Sequence, residues 1–306
     1  MNKVNLGTTE LQVSQIALGC MRFGLKEEQE VEALIEKAVE LGINFVDHAD
    51  IYQWGKNSEE MFGAALKKKP SLREKLYVQT KCGICRGYYD FSAEHIIESA
   101  ESSLRKMNLD TIDVLALHRP DALIEPEEVA KAFESLKSSG KVKHFGVSNM
   151  NPLQMQLIEK YTGEKLMVNQ VEFSVVHSGL VDAGIFVNMK EAEGQMRDGG
   201  LLDYARLNNI TLQAWSVLQI SLREGTFIDK EEYQPLNDKL QELADLYGVT
   251  KNAVAIAWIL RHPAKIQAIV GTTSLKHLEE LCKACEVTLT RPQWYELYLS
   301  AGHKLP

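Results

Sequence analysis

Nothing in this chain of 306 residues is long and apolar. The longest uninterrupted hydrophobic stretch, Ala253–Leu260, falls well short of the roughly 20 residues that a helix needs to cross a bilayer, so no membrane association is expected. Met1-Asn2-Lys3-Val4-Asn5-Leu6-Gly7 lacks the apolar centre of a secretory signal. Basic side chains are outnumbered, 34 against 42 acidic, giving a net charge of −8. Lys67-Lys68-Lys69, the one basic run, reads as a solvated helix end. Nucleic acid, which requires a clustered basic surface, is not an expected partner. Cysteine is scarce, 5 residues in all, and without a signal these thiols point to a reducing, cytoplasmic setting. A chain of this size buries about three quarters of the surface that its unfolded form exposes, so its core needs neither disulfide nor structural metal.

Common nucleotide and hydrolase signatures are missing too. No Gly-x-Gly-x-x-Gly follows a strand and no Gly-x4-Gly-Lys occurs, so a dinucleotide would not be held by a Rossmann loop. Gly146-Val147-Ser148-Asn149-Met150 resembles a nucleophile elbow, but Met150 replaces its second glycine. Two Cys-x2-Cys pairs, Cys82/Cys85 and Cys282/Cys285, have the composition of a four-thiolate zinc site. Four sulfurs would have to lie about 2.3 Å from one ion. The first pair follows a strand, while the second sits near the far end of a helix that runs roughly 15 Å downward at about 1.5 Å per residue. No metal site is expected.

What is present is a rhythm. Val4–Leu6 and Leu11–Val13 around Gly7-Thr8-Thr9 read as a leading hairpin. Short apolar runs then predict buried strands at Ile16–Gly19, Phe45–Asp47, Leu76–Thr80, Ile112–His118, Val142–Val147, Met167–Gln170, Thr211–Trp215 and Gln267–Val270. Amphipathic stretches predict helices between them at Glu27–Leu41, Ser58–Leu66, Ala93–Met107, Pro126–Ser138, Asn151–Tyr161, Leu201–Leu207, Gln234–Tyr247 with Asn252–Arg261, and Ser274–Ala284. Ser92 as N-cap, first-turn Pro126 and Pro152, and the stops Gly42 and Gly140 support these boundaries. Strands alternating with helices imply a covered parallel sheet. Closed, it is an α/β (β/α)8 TIM barrel of about 250 residues, here one domain, 1–306, with an N-terminal β-hairpin and an extra C-terminal helix near Pro292–Ser300. An open doubly wound sheet is the alternative. Val171–Gly200 breaks the rhythm, with 184–199 as an insertion on the face where barrel active sites lie. It is either a lid or a passive surface loop.

The strand ends carry the chemistry. Asp47 and Tyr52 follow the second strand in Asp47-His48-Ala49-Asp50-Ile51-Tyr52, Lys81 the third, and His118 the fourth in Leu117-His118-Arg119-Pro120-Asp121. A phenol with pKa about 10 is a poor proton shuttle at neutral pH, and a neighbouring ammonium lowers that pKa. Asp47 would hold Lys81 charged, and His118 could donate a hydrogen bond to a carbonyl oxygen. The set suits protonation of an alkoxide as hydride reaches the carbonyl carbon.

Gly42-Ile43-Asn44-Phe45-Val46-Asp47 with Tyr52, Thr80-Lys81, and Leu117-His118 together resemble the signature of the aldo-keto reductase superfamily, closest to its bacterial YdhF-like branch. The resemblance implies an NADP(H)-dependent oxidoreductase that reduces aldehydes or ketones, with NAD(H) as the alternative cofactor. It makes Tyr52 the general acid, Lys81 and Asp47 its tuning groups, and His118 the residue that orients the carbonyl. Ser148, Asn149 and Gln170 would hold the nicotinamide carboxamide, with Trp215 stacked on the ring. Ser216 and Leu218 would lie along the pyrophosphate, and Gly271, Thr272, Thr273, Lys276, His277 and Glu280 near the adenosine phosphate. The chain departs from the family by placing bulky Val217-Leu218-Gln219-Ile220-Ser221 where a Gly-rich stretch is usual, and Gly271 and His277 where Lys and Arg are common. A short tail, Gly302-His303-Lys304-Leu305-Pro306, implies an open pocket for a small carbonyl substrate unless Val171–Gly200 closes it. Two other readings stand beside this one: a nucleotide-binding regulatory or interaction subunit on the same scaffold, and a metal-dependent barrel hydrolase using Asp47, His48, Asp50 and His118. The oligomeric state is left open.

Overall fold

The computed structural model describes residues 1–306. Eight parallel strands close into a barrel: β1 (Ile16–Gly19), β2 (Phe45–Asp47), β3 (Tyr77–Cys82), β4 (Ile112–Leu117), β5 (Val142–Ser148), β6 (Leu166–Glu172), β7 (Thr211–Trp215) and β8 (Gln267–Val270). They neighbour one another in sequence order, and β8 pairs with β1 through Ala268–Ile16 to close the ring. All run the same way, so every C-terminal strand end opens on one face.

The surrounding helices are α1 (Glu28–Glu40), α2 (Ser58–Lys68), α3 (Ala93–Met107), α4 (Pro126–Ser138), α5 (Pro152–Thr162), α6 (Gly179–Ile185), α7 (Leu201–Leu207), α8 (Gln234–Tyr247), α9 (Lys251–Leu260), α10 (Leu275–Cys282) and α11 (Arg291–Ser300). Their starts follow local chemistry. The Asn57 side chain accepts from Glu59 and Glu60 N–H, Ser92 accepts from His95 N–H, and Asn151 forms a capping box with Gln154 ahead of Pro152. Each cap satisfies amide donors that the first helical turn leaves unpaired. No single helix is long and apolar enough to cross a membrane.

A core of 70 buried residues fills the space between barrel and helices. A second cluster, in which Val4, Leu6 and Val13 meet Phe45, Val114, Val168 and Ile269, plugs the N-terminal mouth. The hairpin that supplies the plug pairs Lys3–Asn5 with Gln12–Ser14, one residue away from the predicted strands on each side. Inside the barrel, close packing constrains β5: a Cβ on Gly146 would lie 2.3 Å from Val168 Cγ2.

Part of the barrel interior is polar. Gln79 Nε2 donates to Gln213 Oε1 (2.8 Å), Gln213 Nε2 to Gln267 Oε1 (2.8 Å), and Gln267 Nε2 to the Ser14 carbonyl (2.7 Å). These side chains are buried, and their mutual bonds offset the cost of taking amides out of water.

Candidate active site

Register brings the strand-end residues together. Asp47 lies opposite Gln79, and Lys81 stands two residues further along β3. Lys81 is fully buried and Asp47 nearly so. Lys81 Nζ donates to Asp47 Oδ1 at 2.6 Å and to the His48 carbonyl at 2.7 Å. The same carboxylate oxygen accepts from Gln79 Nε2 (2.7 Å) and Gln170 Nε2 (2.9 Å). Lys81 Nζ sits 5.1 Å from the centre of the Tyr52 ring, and that ring meets His118 edge-on at 5.9 Å.

The electrostatics correct one expectation. Burial raises the Tyr52 pKa above its ordinary value; Lys81 pulls it down, Asp47 pushes it up, and burial wins. The phenol is therefore protonated at neutral pH and not unusually acidic. Burial also works against the charge on Lys81, but Asp47 and Tyr52 outweigh it and its pKa is raised. Burial, with Lys81 and Arg119 adding repulsion, pushes His118 down to about 2. The imidazole is neutral, so it carries one N–H to donate, and its Nδ1 is buried without a partner.

These groups open on a cavity of about 770 Å³ that runs from Asp47, Tyr52 and His118 past Ser148, Asn149, Gln170 and Trp215 to Gly271, Thr272 and His277. The sequence profile of the Aldo/keto reductase family matches residues 15–298. The chain belongs to the aldo/keto reductase family. It is 37% identical over 305 residues to a 6-dehydroglucose reductase of Agrobacterium fabrum, covering 95% of each chain. To the oxidoreductase YdhF of Escherichia coli it is 36% identical over 288 residues, covering 91% of this chain and 90% of the relative. In fold it matches a crystal structure of the thermostable aldo-keto reductase Tm1743 in complex with the inhibitor epalrestat. That match has a TM-score of 0.78 at 24% identity and covers 98% of this chain and 100% of the other. The protein is an oxidoreductase of this family on the expected (β/α)8 fold.

Most of the residues assigned to cofactor in this reductase line the same cavity: Ser148, Asn149, Gln170, Trp215, Ser216, Leu218, Gly271, Thr272 and His277. Ser148 Oγ donates to the Gln170 carbonyl, Asn149 Nδ2 donates to Ser148 Oγ, and Trp215 Nε1 donates to Asn149 Oδ1. Asn149 and Ser216 adopt left-handed backbone at φ +58° and +54°. Such conformations cost about 1–3 kcal/mol and persist where surrounding contacts over-determine them. Leu218 and Ile220 turn partly inward against the core, so their bulk does not simply stand over the cavity. Thr273, Lys276 and Glu280 do not line it; Lys276 faces solvent, 3.8 Å from Glu280.

Sequence reasoning overlooked Arg22 and the barrel glutamines. Arg22 follows β1, donates to the Gly271 carbonyl at 3.3 Å, and covers Trp54. Arg119 lies 5.5 Å from the centre of the Trp215 ring. Both arginines line the cavity and neither is ion-paired, whereas its two carboxylates are neutralised, Asp47 by Lys81 and Asp229 by Lys251. The cavity wall therefore carries uncompensated positive charge. That Arg22 follows a strand end was the available signal.

The insertion is structured. Residues 171–200 contain α6 and a single turn at Ala192–Gly194. They enclose a second cavity of about 820 Å³ that shares Arg119, Asn149 and Trp215 with the first and adds polar groups from His177, Asp182, Gln195 and Arg197. The tail fastens it: His303 Nε2 donates to the Val175 carbonyl at 2.7 Å, and Tyr298 OH donates to Asp182 at 2.8 Å.

Proposed function

We propose that this protein is an NADP(H)-dependent carbonyl reductase with Tyr52 as general acid. The supporting observation is the convergence of Asp47, Tyr52 and His118, with Lys81 buried behind them against Asp47, on a cavity with uncompensated positive charge. The donor set suits a nicotinamide dinucleotide. Gln170 spends its amide nitrogen on Asp47 and keeps its carbonyl oxygen for a carboxamide N–H. Ser148 and Asn149 supply further polar groups, and Trp215 an aromatic face. Arg22, Thr272 and His277 form the phosphate end, where the free guanidinium favours the more anionic NADP(H) over NAD(H). When bound, the reduced cofactor supplies hydride to the carbonyl carbon.

The chain's own residues then complete the reduction. The His118 N–H donates to the substrate oxygen and orients it. Tyr52 OH delivers its proton to that oxygen as negative charge develops there. Lys81 stabilises the phenolate left behind, and Asp47 holds Lys81 in place and charged. A phenol that stays protonated until then is the form a reductase requires. The polar insertion cavity, and similarity to a 6-dehydroglucose reductase, favour a small hydroxylated aldehyde or ketone over a bulky apolar one.

Titration of tryptophan fluorescence with NADPH and with NADH tests the cofactor. Quenching should saturate at lower NADPH, and Trp215→Leu should remove most of it. Equal affinity for both would end the phosphate preference. Tyr52→Phe should cut turnover about 10²-fold or more, the scale of lost acid catalysis, without weakening cofactor binding. Unchanged turnover would remove Tyr52 from its role.

A further inference from the structure

The connection after β3 folds into a small hairpin, Ile84–Cys85 against Tyr88–Tyr89, turning at Gly87 with φ +93°. Asp90 N–H donates to the Gly83 carbonyl at 3.0 Å, and the capped first turn of α3 follows. Three residues spaced five apart thus reach one spot. The Cys85 thiol, an Asp90 carboxylate oxygen and a His95 ring nitrogen all lie within 4.8 Å of one another, and all three residues are half-buried.

The sulfur–nitrogen separation matches that around a metal. Cys85 Sγ is 3.7 Å from His95 Nε2. Bonds of about 2.3 Å to sulfur and about 2.0–2.1 Å to nitrogen, at a tetrahedral angle, place those two atoms about 3.6 Å apart. Asp90 Oδ1 accepts from Ser92 N–H at 2.9 Å, leaving Oδ2 free. Ser99 Oγ, 3.4 Å from the same imidazole nitrogen, is the contact an ion would displace. Cys82, the other half of the Cys-x2-Cys pair, is fully buried, and burial pushes its thiol well up. The hairpin therefore selects a different trio from the four cysteines weighed in the sequence.

We propose that Cys85, Asp90 and His95 form a binding site for a thiophilic divalent cation, zinc by class, with three protein ligands and a fourth position open to water. Thiolate with imidazole selects zinc or cobalt over magnesium or calcium. Binding replaces the thiol proton, which leaves to solvent, by a sulfur–metal bond. None of the three residues lines the reductase cavity, but the adjacent Ile84 does, so the ion would staple the hairpin carrying that wall residue to α3.

Chelator-treated full-length protein titrated with Co²⁺ tests this. A stoichiometric thiolate-to-cobalt charge-transfer band in the near ultraviolet is expected, with displacement by Zn²⁺. Cys85→Ser should abolish the band. His95→Ala should weaken binding about a hundredfold, one ligand's share of a zinc-site affinity, and Cys285→Ser should change nothing. Circular dichroism should show all variants folded; if Cys85→Ser fails to fold, His95→Ala and Asp90→Asn decide. No band in the wild type, a band that survives Cys85→Ser, or unchanged affinity in His95→Ala and Asp90→Asn overturns the proposal.

Discussion

At Asp47 one carboxylate oxygen accepts from an ammonium and two amides. Removing one member of a buried ion pair leaves the other uncompensated, typically at about 3–5 kcal/mol, while replacing both with neutral groups is often tolerated. Lys81→Met should therefore lower the denaturation midpoint sharply. Adding Asp47→Asn should restore much of that loss without restoring turnover. A double variant no more stable than Lys81→Met would mean that packing, not charge, dominates here. Asp50 poses the opposite case. Burial and the neighbouring Glu59 raise it to about 7, so the folded state holds a proton that the unfolded state has already released. Its contribution is favourable below its unfolded pKa of about 4 and fades as pH rises through about 7. Asp50→Asn should match the wild type near pH 4 and melt on the order of 10 °C higher at pH 8, at about 1.4 kcal/mol per pKa unit and about 2–4 °C per kcal/mol. Identical melting at both pH values would contradict the shift.

Among the elements, those with clear local punctuation were legible. α3, α4, α7 and α8 begin and end where caps, prolines and apolar spacing place them, and β1, β2, β7 and β8 match their apolar runs. β3, β5 and β6 extend past prediction, to Cys82, Ser148 and Glu172, because polar residues such as Lys81, Ser148 and Gln170 interrupt the apolar pattern at their ends. α6, short and with a glycine at its start and in its last turn, lacks enough periodicity to be read. Gln79, Gln213 and Gln267 were unreadable for another reason: a polar residue within an apolar run reveals its partner only after the barrel closes. The cavity-lining site residues were legible because they cluster at strand ends, whereas solvent-facing Lys276 followed a family pattern that this helix does not direct inward. The tail-to-insertion contact yields an element-scale prediction. His303→Ala should raise KM for carbonyl substrates while leaving NADPH affinity unchanged, as measured by steady-state kinetics and fluorescence titration. An unchanged KM would make the contact purely structural.

Across the whole molecule, buried histidines set the acid limb of stability. Burial, with nearby positive charge, lowers His48 to about 3, His118 to about 2 and His262 to about 4. Unfolded, each takes up a proton below about pH 6.5; folded, they resist, and Asp50 alone works the other way. Unfolding near pH 5 thus takes up about two protons net from these groups, so stability rises with pH to about 6.5. Thermal midpoints across this window should show that slope, and His118→Gln should reduce it by about one proton. A flat wild-type profile would contradict it.

Ring closure here involves side chain as well as backbone. Gln267 Nε2 reaches the Ser14 carbonyl, and Ala268 N–H bonds to the Gln15 carbonyl, so the first and last staves of the barrel are laced across their joint. Splitting the cylinder at that joint must break both ties together. The joint should accordingly be among the last places where amide hydrogens exchange with deuterated solvent, and breathing of the cylinder should start elsewhere.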